Sequence, residues 1–471
     1  MSLKTVLNGG FQTYEYQKFV EIINDTNFPP VTAYWNNDLS SKTQVFPKTA
    51  VLTYDISRSQ TNSLPFGDNG AIDAFGRLRV STPTAVFSVK QLNSSRPIIF
   101  DTVTNGSGTY TFSEADAATI LSTSSNGDYV IRQSKQSFNY QPGKSQQYLF
   151  TGLLSGGEDV DMIYGFYRSN TSAPYNERTG FFFRNNNDVL SVNIGNPNGT
   201  VSSLYVPQSA WNIDTLDGNG ASGITLDMTK VQIFTVDYEW LGVGRVRFGF
   251  VIDGAYYYCH QVLNANNIES VYLNNPNLPL RAELRQNGTT SANMLHICAT
   301  VNSEGGVQKQ GTRRSVDTMD YTGINEEISI GVGVEASILQ LALTGTRLQG
   351  VISPETINVM NTDSNIDTRV RLIAGPAHTG SVSLTSINSS SASWGVGSSA
   401  VRYISGGNIL STYYISKDAA SANNTIKDSF YSLGSLINGT PEVLHVFVTP
   451  LKSGGGGSGL YFASADWLEN E

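Results

Sequence analysis

Asp237 and Glu239, with only Tyr238 between them, are the nearest this sequence comes to a catalytic pair. On a strand, residues i and i+2 share a face, and two carboxylates so placed could act as acid and base on a glycosidic bond. A third acid is missing nearby, and Trp240-Leu241-Gly242 follows at once. The competing assignment is a structural pair at the mouth of a hairpin, bonded to Arg245 or Arg247 on an accessible or interfacial face. Cys259-His260 and His296-Ile297-Cys298 have the residue types of a zinc site. Their spacing is wrong for one, because neighbouring strand residues point to opposite faces and four ligands would have to converge. If the two strands pair, Cys259 and Cys298 are expected together as small buried hydrophobes. Asp214, Asp217 and Asn219 offer oxygen ligands in a glycine-rich loop, the chemistry calcium takes, but without EF-hand spacing; Asx turns serve equally. No nucleophile elbow, phosphate loop, HExxH or dinucleotide fingerprint occurs. The expectation is therefore a protein that is not an enzyme, with no catalytic, cofactor or metal site.

The elements that would carry these residues are strands. Tyr129–Gln133, Gln147–Leu154, Ile163–Tyr167 and Val231–Tyr238 are strand-like runs bounded by Gly, Asn or Pro. In VGRVRFGFVIDGAYYYCHQVL, Val246, Phe248, Phe250 and Ile252 alternate with Arg245, Arg247 and Gly249, and Asp253-Gly254 can take the positive φ of a two-residue loop. This predicts a hairpin with one buried and one accessible face. Tyr16, Phe19, Val20 and Ile23 fall on one face of a short helix that ends before Phe28-Pro29-Pro30. Ser113 could cap a single helical turn over Glu114–Ala118.

The 471 residues are too many for one ordinary core. Residues 1–69 predict an arm or attachment segment, its aromatics docking on something else or packing on themselves as a cap. Residues 70–310 predict a β-sandwich of jelly-roll type. Residues 311–471 predict a second β-rich domain with a Gly-rich link at Ser453–Gly459 before a tail holding Tyr461, Phe462 and Trp467. That tail is either a clamp between subunits or a final edge strand. The fold class is mainly β. No repeat of fixed period points to a propeller or solenoid.

Composition narrows the partners. Charged residues are 15% and hydrophobic ones 39%, with 45 glycines. That suits a surface meeting neighbouring subunits, where charge is costly to desolvate, and equally a bland extracellular β protein. The formal charge of -9 carries no concentrated basic run, which argues against nucleic acid. No stretch approaches the roughly 20 apolar residues of a membrane span, and MSLKTVLNGGFQTYEY lacks an apolar signal core. Two cysteines exclude a disulfide framework.

Asp73-Ala-Phe-Gly-Arg-Leu-Arg-Val-Ser81 resembles a family of virion structural proteins of tailed phages, marine and cyanophage types among them. The resemblance continues through Phe138–Ser145, Leu216-Asp-Gly, Tyr238–Gly254 and Asn277–Arg281. It implies a particle component, made in a host cytoplasm and assembled into the virion, without fixing head, neck, tail or fibre. On that basis the chain is expected to act by protein–protein assembly, with other virion proteins and with copies of itself in a trimer or other symmetric oligomer. Tyr16, Phe19, Trp35, Phe46, Phe75, Arg77, Arg79, Arg245, Arg247 and Trp467 are the expected interface. Gly76 would permit close backbone approach or form a bulge, and Phe75–Val80 would begin the first sandwich strand while its arginines reach a neighbour. The alternative is a module binding host receptor or glycan, with Tyr256, Tyr257 and Tyr258 on the candidate stacking surface but at least one of them facing the core; a glycan-degrading enzyme using Asp237 and Glu239 is the third.

Overall fold

The computed structural model describes residues 2–7, 10–15, 34–35, 42–43, 72–80, 82–306, 311–319, 327–363, 365–417, 421–425, 431–451 and 457–470. The chain forms two units, Met1–Gly67 and Asp68–Glu471. In the first, Ser2–Leu7 pairs antiparallel with Gly10–Glu15, and Tyr34–Trp35 with Lys42–Thr43. Trp35 thus lies in a short strand. The helix expected over Tyr16–Ile23, and Phe19 and Phe46 with it, fall outside the described residues.

The second unit is built from antiparallel sheets packed face to face. An eight-stranded sheet runs Ala255–Val262, Val246–Ile252, Gln232–Tyr238, Gln146–Leu153, Ala292–Ser303, Ala118–Thr123, Thr109–Ser113, with Thr84–Lys90 also on Ala292–Ser303. A seven-stranded sheet runs Leu204–Pro207, Val189–Gly195, Thr179–Asn186, Val160–Arg168, Leu280–Gln286, Tyr129–Ser134, Phe100–Asn105. Alternation sends one face of each into a shared core: Tyr148, Phe150, Phe234, Val236, Phe248 and Phe250 from the first sheet meet Tyr164, Phe166, Phe181 and Phe183 from the second. The aromatic rings interlock, Tyr148 stacking on Phe166 at 3.7 Å and Phe150 on Phe234 at 5.3 Å. The hairpin forms where its loop predicts, with Asp253 and Gly254 at φ +51° and +79°.

A second sandwich follows from Thr312. Its five- and six-stranded sheets enclose Leu339, Leu341, Ile357, Val359, Val370, Leu372, Val446, Val448 and Trp467. The last strand, Ser458–Asn470, lies between Val351–Asn361 on one side and Thr312–Asp317 and Ile328–Gly331 on the other. It is a central strand, neither swinging tail nor edge. Trp467, 1% exposed, belongs to the core and offers nothing to a neighbour.

The segment 431–442 reaches from the second sandwich to the first. Lys135 Nζ pairs with Glu442 at 2.9 Å, Gln136 donates to the Ser432 carbonyl at 2.8 Å, and the Ile437 amide donates to Asp101 at 2.8 Å. Ile437 completes a small apolar cluster with Ile131 and Tyr175. Gly434 is needed here: a Cβ would stand 2.6 Å from the Lys135 carbonyl oxygen.

Candidate functional site

Five of the residues expected at an interface, Phe75, Arg77, Arg79, Arg245 and Arg247, come together, but within the chain. Residues 72–80 make a clasp over one end of the eight-stranded sheet. A turn from Asp73 to Gly76, with Gly76 at φ +78°, lets Ile72 bridge to Leu78. Gly76 has open space around it, so it serves a turn rather than close approach or a bulge. The first sandwich strand begins only at Thr84. Asp73 accepts from the Arg77 amide and Nε, each at 2.8 Å, and the Arg77 guanidinium lies 4.4 Å over the Phe75 ring.

Asp237 is the centre of the clasp. Arg79 and Arg247 both pair with it, Ser145 Oγ donates to it at 2.8 Å, and the Tyr258 hydroxyl at 3.1 Å. Arg79 also pairs with Glu304, and Arg247 donates to the Ile72 carbonyl at 2.8 Å. Arg245 Nε donates to the Ala74 carbonyl at 2.9 Å. Burial alone would lower the Arg79 pKa, but Asp237, Tyr258 and Glu304 outweigh it and raise it. Two guanidiniums thus meet two carboxylates. The Asp237–Arg247 pair, placed by its alternation on an accessible face, is fully buried because the clasp covers that face.

This geometry separates the carboxylates of the candidate catalytic pair. Asp237 has no exposed surface. Glu239 accepts from the Arg245 amide at 3.1 Å, and burial raises its carboxyl against that bond. Tyr257 packs against the core, as expected of at least one of the three tyrosines, and Tyr258, also buried, is bonded to Asp237, which leaves Tyr256 as the more open ring. Cys259 and Cys298 lie on strands separated by three others, not on a paired face; Cys259 donates to the Phe248 carbonyl and Cys298 to Thr151. Asp214 accepts amides of Leu216 and Ser222, and Asp217 those of Asn219 and the Thr215 hydroxyl, as Asx turns do. Ser113 accepts from the Asp116 amide in a turn, not a helix.

Segments 73–81, 138–145, 238–254 and 277–281 are joined by further bonds at this same end. Ala74 N donates to Ser145 Oγ at 3.3 Å, Tyr140 N to Asn277 at 3.0 Å, Trp240 N to the Tyr140 hydroxyl at 2.9 Å, and Phe138 N to the Leu278 carbonyl at 3.1 Å.

A second constellation lies on the seven-stranded sheet. A cleft of about 750 Å³ is bordered by Asn105, Asp128, Tyr129, Asn176, Arg178, Arg184, Arg285 and Asn287. Beneath it Glu283, fully buried, is bound by Arg178 at 2.7 Å, Arg281 at 2.7 Å and Arg285 at 2.8 Å. Burial would raise the Glu283 carboxyl; the three guanidiniums outweigh it and hold it well below the ordinary range. Arg184 forks onto Asp161 at 2.7 and 2.9 Å, and Arg285 lies 5.2 Å over the Tyr129 ring. Sequence reasoning missed this site. Its legible trace is Arg281-Ala-Glu-Leu-Arg285, three charges on one strand face; Arg184 arrives from the strand Thr179–Asn186 and Arg178 from the residue just before it.

No protein-family model matches the chain, and no curated protein matches it. Solved structures resemble about half of it. The carbohydrate recognition domain of Emp47p is 13% identical, with TM-score 0.30, covering 46% of this chain and 96% of that one. The VIP36 exoplasmic/lumenal domain in its Ca2+/Man3GlcNAc-bound form is 11% identical, with TM-score 0.30, covering 48% and 92%. A β-glucanase of Bacillus licheniformis is 10% identical, with TM-score 0.30, covering 48% and 100%.

Proposed function

We propose that this chain is a non-catalytic glycan-binding subunit of a tailed-phage particle. The observation that carries the binding role is the cleft above Glu283. Carboxamides of Asn105, Asn176 and Asn287, guanidiniums and the Tyr129 ring converge there on the edge of a rigid sandwich. These are the groups that hydrogen-bond hydroxyls and pack a sugar ring. The non-catalytic role is supported by Asp237, whose oxygens are occupied within the clasp and out of reach of a substrate. Membership of a particle rests on the resemblance of Asp73–Ser81 and Tyr238–Gly254; those segments build the clasp that anchors residues 72–80.

A glycan array probed with the full chain tests binding, and antibody against it should block adsorption of particles to host cells. Adsorption untouched by saturating antibody, with no glycan retained on the array, would remove the binding role. Its absence from purified particles by mass spectrometry would remove the virion role, and light scattering would detect the symmetric oligomer expected of such a subunit.

A further inference from the structure

A different cleft, of about 620 Å³, opens where the two sandwiches meet and shares no lining residue with the one above Glu283. Arg168, Thr171, Asn275 and Asn277 border it from the first sandwich, and Thr346 and Arg347 from the second. Among the described residues no Asp or Glu lines it. Arg168 closes the strand Val160–Arg168 and is largely buried. Its neighbours Arg178, Arg281 and Arg285 pair with Glu283, and Arg184 with Asp161. Arg168 pairs with no carboxylate among the described residues; its one side-chain hydrogen bond, to Ser435 Oγ, is long at 3.5 Å. Burial, and after it the charge of Arg281, lowers the Arg168 pKa to about 10, and no carboxylate among the described residues offsets either. A desolvated cation so placed is costly until a counter-charge reaches it.

The carboxamides beside Arg168 are turned so as to donate. Asn275 Oδ1 accepts from the Asn277 amide at 2.8 Å, and Asn277 Oδ1 from the Tyr140 amide at 3.0 Å. A backbone N–H only donates, so both side-chain oxygens are committed and the Nδ2 hydrogens are left over. Asn277 Nδ2 reaches the Gln349 carbonyl across the junction at 3.5 Å, and Asn275 Nδ2 is bonded to nothing among the described residues. A carboxylate presents two oxygens, enough for one guanidinium fork. A phosphate presents more, so it takes a guanidinium together with donors from separate loops.

We infer that this cleft binds a phosphate-type oxyanion on Arg168, Arg347 and the Asn275 carboxamide, and that the bound ion ties the two sandwiches together. The site does not depend on glycan binding above Glu283, and a chain that retains no glycan on the array yet binds phosphate keeps it. The test is calorimetric titration of the full chain with inorganic phosphate and with mannose 6-phosphate at constant ionic strength, beside thermal unfolding in phosphate and in acetate. Both phosphates should bind, unphosphorylated mannose should not displace them, and phosphate should raise the melting temperature where acetate does not. Tighter binding of the ester would mark a phosphorylated polymer as the source of the group, and equal affinity the free ion. Arg168→Gln and Asn275→Asp should each weaken phosphate at least tenfold. Asn275→Asp keeps the oxygen that accepts from the Asn277 amide and turns only the free donor into a negative charge, so it tests the site in a folded chain. In acetate Arg168→Gln should melt no lower than the parent, because it removes a cation without breaking a pair. Phosphate that stabilises no more than acetate, or that binds folded Asn275→Asp as tightly as the parent, would overturn the site.

Discussion

Single residues carry unequal weight here, and burial decides which. Asp237 and Glu239 differ by two positions, yet one is enclosed by two guanidiniums and two hydroxyls and the other is half-buried beside a backbone amide. Removing one partner of a buried pair strands the others, at a cost of about 3–5 kcal/mol. Asp237→Asn should lower stability by about that much in urea unfolding, and Glu239→Gln by about 1 kcal/mol at most. His296 presents the opposite case. It is fully buried, edge-on to Phe100 at 4.9 Å and to Tyr164 at 5.4 Å, and neither ring nitrogen has a partner among the described residues. An unsatisfied buried polar group costs about 1–3 kcal/mol, while an apolar ring of similar shape does not. His296→Phe should therefore raise the urea midpoint, by about 1 kcal/mol or more in stability at pH 7.

At the scale of elements, the clasp and the 431–442 segment are both held by polar contacts that can be cut singly. Arg79→Ala should release residues 72–80. Hydrogen exchange would show this as faster exchange there and across Val246–Val262, with the second sandwich unchanged. Lys135 is 16% exposed and its partner Glu442 8%, so the pair is shielded from solvent on both sides. In Lys135→Met, scanning calorimetry should resolve two melting transitions, one for each core, where the parent chain melts with greater cooperativity. A single unchanged transition would show that the apolar cluster of Ile131, Tyr175 and Ile437 suffices to couple them.

For the whole molecule, histidines make stability depend on acid. Burial holds His296 well below its ordinary pKa, with Arg132 adding to it, and lowers His445 to about 3, with His378 adding. In both, the unfolded imidazole takes up its proton near pH 6.5 while the folded one does not. Stability is therefore full above that pH and declines as pH falls, down to about pH 3 for His445. Between pH 7 and 5 each contributes a loss of about 2 kcal/mol, about 4 kcal/mol together. Glu283 adds a further loss once the unfolded carboxyl protonates below about pH 5. Urea titrations at pH 7 and 5 check the sum, and the pH dependence should fall by about half in His296→Phe.

What the sequence by itself determined is the local part: the class of the fold, the strands Gln232–Tyr238 and Val246–Ile252, and the Asp253-Gly254 loop. Alternation of period two and a residue tolerant of positive φ are properties of a few neighbours. Alternation states that Arg247 faces away from Phe248, but not whether that face meets solvent. Residues 72–80, lying across it, decided the matter and turned an expected contact with another subunit into an internal lock. Trp467 was legible as strand and aromatic, yet its central position depended on partners more than a hundred residues earlier, at Val351–Asn361 and Thr312–Asp317. The cleft over Glu283 was the least legible, since Arg184 and Arg285 come from two strands, and Arg178 from the residue before one of them, that the chain brings together only by pairing both strands with Val160–Arg168. Charge balance and burial are sums over such distant neighbours, and only the tertiary structure performs them.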